Sequence, residues 1–326
     1  MYIKQLFLPH GLWLGPMAGY TDPTMRRLCR RFGADITVTE MVSAKAVCYG
    51  DKKTHFLTRI YPDEAPCALQ LFGSDPATLA EAAKIVVSGE AGYAKPAVID
   101  INMGCPMPKI TGNGEGGALL KNPALIYKIV SAVVGAVSVP VSVKLRIGWD
   151  EESINAEETA KAAEAGGAAV VVLHGRTVKQ VYSGEADWSV IARTKELLSI
   201  PLVGNGDITS GADALSRINM SGVDGIMVGR AAVGNPFIFD EIVSVLEKRD
   251  YTPPTLAQKV EVALLQLKQA CEDKGEARAI PEARKQVAAY VAGYTGAAEV
   301  RRQVNMAQSY LEVQAILEAY VSSLSE

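Results

Sequence analysis

Short apolar runs rich in β-branched residues begin near Leu12, Ile36, Cys67, Ala97, Val141, Ala169, Pro201 and Gly225. Their spacing of about thirty residues is that of one strand–helix unit. Between most of them, apolar residues recur at helical spacing, over 23–32, 76–87, 123–134, 153–165, 188–198 and 211–218. Several of these stretches open on a helix-start signal, such as Asp75-Pro76, Asn122-Pro123 and Ser210. Eight such units over roughly 240 residues predict an α/β fold, a (β/α)8 TIM barrel. An open, doubly wound sheet also alternates strand and helix. No Gly-x-Gly-x-x-Gly follows the first strand, however, which weakens a dinucleotide-binding fold.

The alternation stops near Tyr251. Thr252-Pro253-Pro254-Thr255 reads as a linker and helix start, and beyond it 256–271, 281–294 and 297–326 carry apolar residues at helical spacing. The expected organisation is a barrel over 1–250 followed by an all-helical C-terminal domain over 251–326. Such an appendage either has a purpose of its own or caps the barrel.

Composition excludes some classes. With 48% hydrophobic residues in 326, a large core is available, and the net charge of -3 offers a polyanion no global attraction. A nucleic-acid partner would have to meet a local basic patch. Cys29, Cys48, Cys67, Cys105 and Cys271 are odd in number and scattered, with no Cys-x-x-Cys pair. Neither a disulfide framework nor a metal site is expected. No leader pattern or long apolar span is evident, so the expectation is a cytoplasmic protein with no membrane partner. The sequence suggests no obligate protein partner.

In a parallel barrel, chemistry sits at the C-terminal ends of the strands. The run Ala97-Val98-Ile99-Asp100-Ile101 leads into Asn102-Met103-Gly104-Cys105-Pro106, placing a thiol in a loop that continues as Gly112-Asn113-Gly114-Glu115-Gly116-Gly117. A cysteine there is a candidate for proton or nucleophile work; simple packing is the competing explanation. Other strand ends carry Gly15-Pro16-Met17-Ala18-Gly19, Thr39-Glu40-Met41, Gln70, Lys144, His174-Gly175-Arg176, Asn205-Gly206-Asp207 and Gly229-Arg230. One lysine or histidine in such a place is often structural. So many polar groups at one end of the strands are hard to obtain from packing alone.

The turns after strands seven and eight, where barrels often bind phosphate, offer glycine backbone N–H groups and a guanidinium. Two ordinary glycine turns are the alternative. A cofactor with a phosphate tail and a flat ring accounts for the other groups. Lys144 beside a ring that becomes anionic on reduction favours the reduced form, and Gln70 offers a ring edge both donor and acceptor. With Cys105 overhanging the open ring face as proton donor, this is the pattern of a flavin mononucleotide (FMN) barrel.

The ordered set of motifs resembles the tRNA-dihydrouridine synthases, most of all their bacterial B-type branch. The matching segments are Gly15-Pro16-Met17-Ala18-Gly19-Tyr20-Thr21-Asp22, Thr39-Glu40-Met41-Val42, Gln70-Leu71-Phe72-Gly73 and Asp100-Ile101-Asn102-Met103-Gly104-Cys105-Pro106. They continue with Val143-Lys144-Leu145-Arg146-Ile147-Gly148-Trp149, His174-Gly175-Arg176-Thr177, Asn205-Gly206-Asp207-Ile208 and Gly229-Arg230-Ala231. The resemblance spans the barrel, and the tail has the family's length and place. It implies an FMN enzyme that uses NADPH to reduce the C5–C6 bond of particular uridines in tRNA. In that analogy hydride passes from flavin N5 to C6, and Cys105 is the acid that protonates C5. Pro16, Met17, Ala18, Gln70, Lys144, His174, Asn205, Gly206, Asp207, Gly229 and Arg230 match cofactor-contacting positions. Asn102 and Arg176 fall on the substrate side.

A uridine must leave its stack to reach a flavin, and contacts to RNA backbone and shape must offset that cost. Arg284 and Lys285, with Arg301 and Arg302, form two basic pairs on the tail and are the candidate tRNA contacts; a solvated helix face is the plain alternative. The tail departs from the family's frequent Arg-Lys-His by reading Arg284-Lys285-Gln286. Two other functions stay open. One is an FMN barrel that reduces a free pyrimidine, like a dihydroorotate dehydrogenase; the other is a non-catalytic RNA-binding scaffold.

Overall fold

The computed structural model of the chain describes residues 1–89 and 95–324. Strands β1 (Leu12–Leu14), β2 (Ile36–Val38), β3 (Cys67–Phe72), β4 (Val98–Met103), β5 (Val141–Arg146), β6 (Val170–His174), β7 (Leu202–Asn205) and β8 (Gly225–Val228) are all parallel and pair in chain order. The sheet closes because β8 also pairs with β1, Met227 opposite Trp13. The expected TIM barrel is what the chain forms. A short strand, Val42–Ser43, adds to the upper end of β3.

Helices α1 (Pro23–Arg31), α2 (Ala44–Cys48), α3 (Pro76–Ser88), α4 (Pro123–Ala136), α5 (Ala156–Ala165), α6 (Trp188–Leu197), α7 (Gly211–Ser221) and α8 (Ile238–Leu246) follow the eight strands in turn. Six starts are fixed by side-chain caps: Asp22 accepts from Met25 N–H, Ser43 from Ala46, Asp75 from Thr78, Asn122 from Leu125, Asp187 from Ser189 and Val190, and Ser210 from Asp213. In α1, α3 and α4 a proline occupies the first turn, where its missing N–H costs nothing.

Side chains alternate across each strand. The outward set, such as Leu69, Ile99, Val143 and Leu173, packs under the helices in the main core. The inward set divides by height. Its lower part is apolar, with Trp13, Val98, Val170, Val203 and Met227, and joins Ile3 and Leu8 from a hairpin (Tyr2–Ile3 with Leu6–Phe7) that seals the bottom. Its upper part is polar: Gln70, Asp100, Asn102, Ser142, Lys144, His174 and Asn205.

Beyond a linker stand α9 (Leu256–Lys274), α10 (Glu276–Tyr290), α11 (Ala297–Met306) and α12 (Tyr310–Ser323). They enclose a separate apolar cluster that includes Val260, Leu267, Val287 and Leu317. Phe237 from the barrel enters this cluster and stacks on Phe32 at a ring distance of 4.5 Å. The expected helix over 281–294 begins earlier, so Pro281 lies inside α10. The expected single helix over 297–326 is two: Ala307 turns extended, and Ser309 caps α12 by accepting from Glu312 N–H. Residues 325–326 lie outside the described residues.

Candidate active site

Four residues of the polar upper layer, Ser142, Asp100, Gln70 and Asn102, form one hydrogen-bonded chain. Ser142 Oγ donates to Asp100 Oδ1, and Gln70 Nε2 donates to Asp100 Oδ2 at 2.6 Å. Asn102 Nδ2 donates to Gln70 Oε1 at 2.8 Å. Asn102 Oδ1 in turn accepts from the backbone N–H groups of Gly104 (3.2 Å) and Cys105 (2.9 Å). The path runs from a fully buried carboxylate to the loop carrying the thiol. Burial holds the Asp100 carboxyl above its usual range, against the pull of Ser142, Gln70 and Lys144.

Cys105 is half-buried at the mouth, and its loop is packed rather than loose. Gly117 N–H donates to the Cys105 carbonyl at 3.0 Å. A Cβ on Gly116, which sits at φ 57°, would lie 3.1 Å from Cys105 Cβ, so the glycines of 112–117 let the chain close against the thiol. Burial pushes the thiol up, with Arg146 and Lys144 pulling the other way, and a raised thiol keeps its proton at neutral pH. Glu115, in the same loop, is buried.

Opposite lies the cationic side. Lys144 Nζ donates to Asn205 Oδ1 at 3.2 Å, and Asn205 Nδ2 donates to the Met227 carbonyl. Burial first, and Arg146 second, bring Lys144 down to about 8. His174 is pushed well below its usual value by burial and then by Lys144, Arg146, Arg176 and Arg230, so its ring is neutral at pH 7. Four cations thus converge on one corner of the mouth, with Asp207 as the carboxylate among them. Such an excess of partly desolvated positive charge is what an anion-binding site requires.

The turns beside this corner suit an anion. Gly206 sits at φ 131°, and a Cβ there would meet Ala186 Cβ at 2.5 Å. In front of Gly229 the nearest atom to such a Cβ is Met17 Sδ, at 3.9 Å. Arg230 is more than half exposed, with its guanidinium 4.5 Å from the Tyr182 ring and 3.5 Å from Asp207. The Asp207 carboxylate itself is turned to Arg176, leaving only its main chain for an anion. From the first strand end, Pro16 and Met17 are half-buried and Ala18 is exposed at the same mouth.

Other expected residues stand elsewhere. Arg176 is buried, and its guanidinium is committed to both Asp207 oxygens and to the carbonyls of Ser183 and Gly184. It ties the loop after β6 to the turn after β7 and offers no substrate-facing surface. On the tail, Lys285 lies 4.6 Å from the Tyr20 ring, close to the mouth, whereas Arg284 is half-buried and donates to the Ala307 carbonyl. Arg302 pairs with Glu299, and Arg301 is exposed. Gln286 is buried at the joint, bonded to Gln266 and donating to the Gly19 carbonyl.

Sequence reasoning passed over Asp100, Ser142 and Arg146. The signal was the period-two alternation along β4 and β5, which turns all three inward with Asn102 and Lys144. Among the described residues no group of side chains could hold a metal ion, and no helix is long and apolar enough to cross a membrane.

The family model described as dihydrouridine synthase matches residues 13–325, nearly the whole chain. The chain belongs to the dihydrouridine synthase family. With that family it is an oxidoreductase. It is 42% identical to the tRNA-dihydrouridine synthase B of Pseudomonas aeruginosa, over 92% of this chain and 90% of that one. Its identity to a probable tRNA-dihydrouridine synthase of Rickettsia conorii is 39%, over 99% of this chain and 97% of that one. Among solved structures it is similar to the old yellow enzyme homologue from Zymomonas mobilis, with a TM-score of 0.51 at 14% identity, over 78% of this chain and 93% of that one. Histamine dehydrogenase from Rhizobium sp. 4-9 matches at a TM-score of 0.53 and 16% identity, over 82% of this chain but only 50% of that one. At such identities the structural likeness shows the barrel alone.

Proposed function

We propose that the protein reduces the C5–C6 double bond of specific uridines in tRNA to 5,6-dihydrouridine, with FMN as cofactor and NADPH as reductant. The observation that carries this reading is the meeting, at one end of the barrel, of the half-buried Cys105 thiol and a corner where Lys144, Arg176 and Arg230 gather around Asn205 and Asp207. Family membership supplies the substrate class. Bound FMN would supply the hydride that reaches C6, renewed from NADPH.

The residues present fit that cofactor. Lys144 keeps N–H donors beyond its single bond to Asn205, in a place where an unbalanced ammonium is costly. Gly206, the Asp207 main chain, Gly229 and Arg230 would hold the phosphate, and Pro16, Met17, Ala18 and Gln70 would border the ring. His174, held neutral, can donate or accept a hydrogen bond without adding charge. Cys105 gives its proton to C5 as hydride arrives at C6, so two hydrogens are added and the thiolate is re-protonated from solvent. Asn102 acts here on the Cys105 loop, and Lys285 meets the RNA from the tail.

The test is dihydrouridine content, by mass spectrometry of nucleosides, in tRNA from cells with and without the gene. Loss at a defined position, restored by the wild-type gene and not by Cys105→Ala, is the expected result. Unchanged tRNA alongside a yellow, FMN-bearing protein would overturn the RNA substrate and point to a small-molecule reductase.

A further inference from the structure

The direction of every hydrogen bond between Asp100 and Cys105 can be worked out from one end. Backbone N–H groups only donate, so the Asn102 atom facing Gly104 N and Cys105 N is the amide oxygen. Its NH2 therefore faces Gln70, which must present its own oxygen there. The Gln70 NH2 is then left pointing at Asp100 and needs an acceptor. A carboxylate is an acceptor on both oxygens, and its second oxygen takes the Ser142 hydroxyl. Either amide turned over would set donor against donor or acceptor against acceptor inside the barrel, where an unmet polar group is destabilising.

We infer that Asp100 is a positioning residue for Cys105, fixing the amide orientations of Gln70 and Asn102 and through them the backbone at the thiol. The inference rests on the function proposed above. Asp100 is fully buried, three strands contribute to the chain, and no link in it exceeds 3.2 Å. Asp100 reaches neither the thiol nor the space in front of it; it acts only through the two amides. The same carboxylate settles which faces of Gln70 remain for a ring edge, one N–H and one lone pair.

Reversing the chain tests this. In Asn102→Asp the new carboxylate keeps the two backbone N–H bonds but shows Gln70 an acceptor. Gln70 must turn over, and its oxygen then meets Asp100. That pair of oxygens is tolerable only while Asp100 carries a proton. Adding Asp100→Asn supplies a permanent donor, so the whole chain runs consistently in the opposite sense.

The expected result is that Asn102→Asp loses kcat progressively as pH rises, by about 100-fold at the alkaline end, the cost typical of a displaced catalytic group. KM for tRNA changes little. The double variant recovers most of that loss and its extra pH dependence disappears. The charged group facing Asp100 is Lys144 on β5, and both variants retain it, so the difference between their profiles reports Asp100. The rate of Cys105 alkylation by iodoacetamide is followed across the same pH range and requires no turnover. A double variant no better than Asn102→Asp in both readouts overturns the inference. If Asn102→Asp does not fold, recovery of folding in the double variant supports it and continued misfolding overturns it. Should the wild type leave uridine unreduced, the proposed function fails, while the alkylation profiles still decide whether Asp100 positions the thiol.

Discussion

In the barrel, polar side chains are held by strands whose ladders fix them on either side, and Gln70, Asp100, Asn102, Ser142, Lys144 and Asn205 hydrogen-bond to one another within the layer. In the tail, several basic side chains lie on helix surfaces: Arg301 is exposed and Arg302 pairs with Glu299 on its own helix, while Arg284 is tied to the Ala307 carbonyl. Among the described residues, polar contacts that join the two regions include Lys274 with Asp22 at 3.0 Å, Arg59 and Tyr61 with Asp273, and Gln286 with the Gly19 carbonyl. The difference teaches that placement and recognition are separable here. Under the proposed function, a shift in the barrel layer would disturb chemistry at once, whereas a change on the tail surface would alter only how an RNA is gripped.

The sharpest break in that comparison comes from Cys105→Ala, which should lower turnover by about 10²- to 10⁴-fold while flavin content, read from the visible spectrum, stays at the wild-type level. Equal losses of flavin and turnover would instead make the thiol part of the frame. Lys144→Met should weaken FMN binding roughly 10- to 100-fold, as expected for a charge-assisted bond lost from a buried site. Its pH dependence sharpens the point. The free site carries the Lys144 cation below about 8 and loses it above. Wild-type affinity for FMN, measured by fluorescence quenching, should therefore be level at lower pH and fall as pH rises through that value. Lys144→Met should show no such fall.

At the joint, Lys274→Met leaves Asp22 and Glu282 without their shared ammonium. It should lower stability by about 1–3 kcal/mol in urea unfolding, with kcat nearly intact. A large loss of kcat would show that the tail governs the barrel layer, and the contrast between the regions would collapse. Smallest of all, Lys285→Ala should raise KM for tRNA only a few-fold and reduce the salt slope of binding by about 1, as one phosphate contact does. An unchanged slope would remove Lys285 from the RNA surface.

The barrel was legible because each of its elements announces itself locally. Asp75-Pro76 and Asn122-Pro123 are caps and first-turn prolines in sequence as they are in space. Helix α2, with five residues, is too short to show a period. The tail was less legible. Pro281 has the look of a first-turn residue yet lies within α10, and the break at Ala307 depends on a cap at Ser309 that could equally be a surface serine. In the site, residues at strand ends were found by position. Asp100 was passed over because it sits a layer below, and its meaning lies in partners on two other strands. Arg176 shows the converse: a strand-end position does not tell whether a guanidinium faces outward or ties two loops together beneath the rim.

The hairpin under the barrel has a kinetic consequence. With Ile3 and Leu8 filling the lower end, the inner layer can be reached from one side only. Under the function proposed above, a reductant and a folded RNA that both need the same ring face would share a single doorway, and neither could wait inside while the other reacts. Under that function they would have to alternate, one departing before the other arrives, and each would compete with the other once its concentration exceeds its own dissociation constant.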